Sequence, residues 1–96
     1  MTNSTKKPLF SLGDIVATPG AVEALTANNI LPFTLLQRHA TGDWGNVCEE
    51  DAQSNNDAVQ HDNRILSSYL VGSSTKIWLI TEWDRSVTTI LLPSEY

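Results

Sequence analysis

The hydrophobic pattern changes period along the chain, and its clearest part is the last third. Arg64 to Val71, Thr75 to Glu82 and Val87 to Leu92 are rich in Ile, Leu, Val, Thr, Tyr and Trp. They are separated by Gly72-Ser73-Ser74 and by a turn around Trp83-Asp84-Arg85, a spacing that predicts a meander of three antiparallel strands. In the middle run Ile77, Leu79 and Thr81 alternate with Trp78, Ile80 and Glu82. Both faces therefore carry bulk, and helices must cover at least one of them. Trp78, in mid-strand, is expected in the core. Pro93 has no N–H to give to a ladder and closes the last strand.

The N-terminal half reads differently. Leu9 to Ala17 is a short first strand or an extended lead-in. Thr18-Pro19-Gly20 starts a helix, because Thr caps well and Pro is tolerated at the first helical position. That helix runs through Ala27 and ends at Asn28-Asn29, which accept left-handed backbone angles. A second helix spans Pro32 to about Ala40, with Phe33, Leu36 and Ala40 on one face, and Gly42 stops it. Gly42-Asp43-Trp44-Gly45 predicts a tight loop pressed to the body by Trp44. A third helix, Glu49 to Gln60, has a thin apolar face of Ala52, Ala58 and Val59, so it lies on the surface. The expected class is α+β: a three- to four-stranded antiparallel sheet ending in the β-meander, with two to three helices from the N-terminal half packed on one face. Residues 1–8 are expected as a flexible N-terminal tail and 9–96 as a single α+β domain.

Composition narrows the setting. At 96 residues and 41% hydrophobic content, one core is expected. No run approaches the ~18 apolar residues of a membrane span. The opening Met1 to Lys7 leads into no apolar signal core, and the lone Cys48 has no disulfide partner. A reducing cytoplasm is the expected compartment. The formal charge of −5 is unevenly spread: His39 to Asn63 holds Asp43, Glu49, Glu50, Asp51, Asp57 and Asp62 with no Lys or Arg, leaving +1 for the rest. With no basic stripe, direct nucleic-acid binding is not expected.

Two chemistries are open to that acidic stretch. His39, Asp43, Asp51 and His61 are metal-ligand types, yet their spacing matches neither His-Glu-x-x-His nor a calcium loop. Glu49, Glu50 and Asp51 are better explained as a solvated first turn favoured by the helix dipole. His39 and His61 are the only residues of the type that titrates near neutrality, so an acid–base pair with Arg38 or Arg64 as phosphate clamp is a further option. Six carboxylates would repel a phosphodiester unless a metal intervened. No Gly-x-Ser-x-Gly, Gly-x-Gly-x-x-Gly or phosphate-loop motif is present, and Cys48 lies beside two carboxylates that blunt a thiolate. Trp83, at a turn beside Asp84 and Arg85, is the aromatic expected to be part-exposed and to mark a contact surface.

The segments Gly42-Asp43-Trp44-Gly45, Glu50-Asp51, Arg64-Ile65-Leu66-Ser67-Ser68-Tyr69, Lys76-Ile77-Trp78-Leu79-Ile80-Thr81-Glu82, Asp84-Arg85-Ser86 and Thr88-Thr89-Ile90-Leu91-Leu92-Pro93 resemble a family of short bacterial proteins. That family is labelled plasmid-related and sometimes type I restriction endonuclease subunit M. The resemblance covers most of the chain from Phe10 onward, although Trp83 stands where a small residue is expected. It implies a mobile-element setting and carries over no catalytic residue. Asn-Pro-Pro-Tyr, Asp-Pro-Pro-Tyr and a Gly-rich cofactor loop, which a methyltransferase would need, are absent.

The expected function is therefore a small non-enzymatic accessory protein of a mobile element or of host defence or anti-defence. It would bind another protein through Asp43, Glu49, Glu50, Asp51, Asp57 and Trp83, with no cofactor. The alternative is a metal-assisted hydrolase or nuclease using His39, Asp43, Asp51 and His61. A homodimer paired across an uncovered strand edge is a third option.

Overall fold

A computed structural model describes residues 7–96. The tail expected over residues 1–8 lies mostly outside the described residues; where it ends, the Leu9 N–H donates to the Ala40 carbonyl at 2.8 Å. The element order is β1 (Asp14–Ala17), α1 (Pro19–Ala27), α2 (Pro32–Ala40), α3 (Glu49–His61), β2 (Ile65–Val71), β3 (Thr75–Thr81) and β4 (Val87–Leu91), then a 3-10 turn over Pro93–Glu95. The fold is α+β, with its three helices in the N-terminal half. α1 begins where Thr18 accepts the Ala21 N–H and Pro19 occupies the first turn. It ends before Asn29, whose φ of 56° is left-handed.

The sheet order is β1-β4-β3-β2. β2, β3 and β4 form the antiparallel meander, with Tyr69 opposite Ile77 and Leu79 opposite Ile90. β1 joins the outer side of β4 in parallel, Asp14 opposite Val87, so the sheet is mixed. A parallel pair needs a long crossover, which the helices and two strands between β1 and β4 supply.

Ile65, Ser67, Tyr69, Val71, Ile77, Leu79, Thr81, Thr88 and Ile90 are all buried. The registers place them on one face of the sheet. Ala21, Leu25 and Leu35 of α1 and α2 pack on the centre of that face, while Trp44 and Ala58 pack around Ile65 at the β2 end. The opposite face carries Trp78, which is only part-buried rather than core. Its neighbours Ile77 and Leu79 take the helix-covered side, so alternation turns Trp78 outward. There it meets the Tyr96 ring edge-on at 5.7 Å.

The two edges of the sheet differ. Along β2, the Ser68 N–H donates to the Trp44 carbonyl (3.0 Å), the Asn46 N–H donates to the Ser68 carbonyl (2.5 Å), and the Leu70 N–H reaches Asn46 Oδ1 (3.0 Å). The loop thus covers that edge. α3 is clipped alongside by the buried Asn55, whose amide donates to the Leu66 carbonyl (2.7 Å) and accepts the Leu66 N–H (3.1 Å). Asn55→Ala should therefore cost about 2 kcal/mol, since two backbone groups of Leu66 lose their partners. Denaturant melts measure it, and a cost within a few tenths of zero would show that the clip is dispensable.

Candidate functional site

The residues singled out in the sequence do not gather into one site. Glu49, Glu50 and Asp51 form the exposed first turn of α3, and Asp57 lies two turns on, receiving the Gln53 amide at 3.4 Å. Asp43 is committed elsewhere: both its oxygens accept from the Arg38 guanidinium, at 2.7 and 3.3 Å, and Oδ1 also accepts the Gly45 N–H. Trp83 is 63% exposed. It sits at the other end of α3, where Arg85 donates to the Ala58 and Asn63 carbonyls at 2.7 and 2.6 Å. At 1.5 Å per residue, about 18 Å of helix separates Trp83's end from the acidic turn.

The metal set is likewise dispersed. Among the described residues no three or more of His, Cys, Asp and Glu come together to hold an ion. His61 is exposed at the end of α3, donating from Nδ1 to the Asp57 carbonyl at 2.9 Å. His39 is fully buried, with Nδ1 2.5 Å from Ser67 Oγ and Nε2 2.9 Å from Thr81 Oγ1. The chain of bonds continues from Thr81 to Thr88 Oγ1 (2.7 Å) and from Thr88 to the Leu12 carbonyl (2.7 Å).

That last carbonyl sets every proton in the chain. It can only accept, so Thr88 donates to it and must accept from Thr81. Thr81 then accepts from Nε2–H, which leaves Nδ1 as a neutral acceptor for the Ser67 hydroxyl. Burial, and secondarily the Arg85 guanidinium, keeps the ring in this form by pulling its pKa down to about 4. A neutral imidazole locked between two hydroxyls inside the core is a structural strut, with no route to a substrate.

The unclaimed surface lies at the opposite end of the sheet from α3. Pro8, Leu12, Ile15, Phe33, Leu36 and Ala40, with Gln37 and Thr41, line a groove of about 410 Å³ between β1 and α2. None of these eight side chains is charged. Of the stripe Phe33, Leu36 and Ala40, Phe33 stands open in the groove, while Leu36 is half-buried against the core and Ala40 is buried with Leu35 and His39. Phe33 is 68% exposed, and Leu31, Ile15 and Val16 are also open to solvent.

Beside the groove runs the outer edge of β1, which no strand pairs with among the described residues. The Asp14 N–H donates inward to the Ser86 carbonyl and the Thr18 N–H to the Ile90 carbonyl, both at 2.9 Å. In a parallel ladder alternate residues bond the neighbour, so the N–H and C=O groups of Ile15 and Ala17 point outward. Sequence reasoning missed this edge, because a four-residue strand carries no sign of which neighbour it pairs with. The usable signal was the width of the apolar arc on α2, where Phe33 lies beyond what Leu35, Leu36 and Ala40 bury. Comparisons with protein-family models, curated proteins and solved structures found no match to this chain.

Proposed function

We propose that this chain is a small non-enzymatic, cytoplasmic protein-binding module of a mobile element or a defence setting. Its docking surface is the apolar end rather than the acidic segment, and its occupant is an extended polypeptide strand laid along β1. The observation that supports this most strongly is the conjunction of an uncharged groove with four outward backbone groups on the same edge. Such an edge gives affinity through main-chain bonds, while the adjoining pocket gives specificity through side chains. The acidic turn of α3 belongs to the opposite edge and serves as solvated surface.

Co-purification from the native host tests the reading. Recovery of bound protein should fall at least roughly tenfold with Phe33→Asp. It should survive reversal of Glu49, Glu50 and Asp51 to Lys. Loss on charge reversal with no effect of Phe33→Asp would return the contact to the acidic segment.

A further inference from the structure

We infer that the strand laid along β1 is the β1 of a second copy of this chain, paired antiparallel about a two-fold axis at Val16. The inference rests on the docking reading above and names the occupant. Three observations carry it.

The first is register. Across a two-fold axis normal to the sheet, residues facing each other must lie on the same face, so only self-paired positions can sit on the axis. With Val16 there, Ile15 faces Ala17 of the partner subunit on the helix-covered side. The outward N–H and C=O of Ile15 and Ala17 in each copy then close four hydrogen bonds and leave none of these groups unmatched. An axis at Ile15 would instead set Ala17 against the region of Gly13, whose φ of 65° breaks strand geometry. Asp14, the one charged residue of β1, falls opposite Thr18 of the partner subunit and not opposite a second Asp14.

The second is charge. A chain of formal charge −5 repels its copy unless its acids stay apart. α3 packs on β2, at the far edge from β1, and the groove contributes no charge. Joining at β1 therefore sets the two acidic helices at the outer ends of an eight-stranded sheet and brings the two grooves, with their exposed Phe33 rings, side by side.

The third is closure. The loop over Trp44–Asn46 already covers β2, so pairing at β1 leaves no bare edge and stops at two copies.

Sedimentation of the full chain is the test. The wild type should run at twice its 10.6 kDa chain mass. Val16 is 47% exposed, so the monomer tolerates charge there. Val16→Glu and Val16→Lys should each weaken self-association by roughly tenfold or more, because like charges meet across the axis. An equimolar mixture of the two should restore the dimer as a Glu–Lys heterodimer. Ala17→Pro, which removes only an outward N–H, should give a folded monomer by circular dichroism. A monomeric wild type, or dimers undisturbed by either Val16 charge, would overturn the second copy. If Phe33-dependent recovery of a different protein persisted in that case, the docking surface would stand and only its occupant would change; if that recovery were also insensitive to Phe33→Asp, the docking reading itself would fall.

Discussion

His39→Ala is expected to destabilise the domain by roughly 4 kcal/mol, a large share of the ~5–15 kcal/mol that holds a domain of this size together. The substitution orphans the buried hydroxyls of Ser67 and Thr81, each at about 1–3 kcal/mol, and leaves an imidazole-sized void. The same residue sets a pH dependence. Its folded pKa of about 4 lies below the ordinary 6.5, so between these values the unfolded chain binds a proton that the folded chain refuses. Its contribution is complete above about pH 6.5 and is lost as pH falls toward 4, by about 3 kcal/mol. Asp84 and Glu95, held below the usual carboxylate range by the Ser86 and Thr18 hydroxyls, lose their own contributions at lower pH still. Urea melts on both sides of this window measure the loss. His39→Gln should flatten it, and an equally steep decline in that variant would place the titrating group elsewhere.

Gly45→Ala is expected to cost roughly 3 kcal/mol or more, because two effects add. Gly45 has a φ of 74°, where an L side chain costs about 1–2 kcal/mol. Its added Cβ would also stand 2.1 Å from the Ser68 carbonyl oxygen and 2.6 Å from the Tyr69 ring. The loop must lift off β2, breaking the bonds at Trp44 and Asn46. Gly42→Ala makes the comparison: its φ of 91° carries a similar backbone cost, but the new Cβ meets only side chains, Leu9 at 3.0 Å and Trp44 at 4.0 Å. For a domain of this size the Gly45 variant should lose roughly 15 °C in Tm. It should also aggregate, since the β2 edge is then bare. Equal melting points for the two variants would show that the loop does not depend on close approach at Gly45.

Much of the fold was legible because its signals are local. Thr18-Pro19 and Asn28-Asn29 bracket α1, and the alternation around Ile77 to Thr81 marks β3, each within one turn or one strand of sequence. Pairings across the chain were not legible. Nothing in Asp14 to Ala17 states that it joins β4 in parallel, and nothing in Asn55 states that it clips Leu66. His39 looked reactive because residue type alone does not reveal burial, and the hydroxyls that bind it are 28 and 42 residues away. The acidic stretch drew attention because charge is easy to count. The groove was hidden because Phe33, Leu36 and Ala40 look like one core-facing stripe, and nothing local shows that Ala40 is buried while Phe33 stays exposed.

On the proposed docking reading, the outward amides of β1 are the working surface of this protein. Amide hydrogen exchange at Ile15 and Ala17, followed from dilute to concentrated chain and in complexes recovered from the host, tests it most directly. Fast exchange is expected at both positions in the dilute chain and strong protection once the edge is occupied, with Glu49 to Asp57 unchanged. Exchange at Ile15 and Ala17 that never slows, with protection arising along α3 instead, would contradict it.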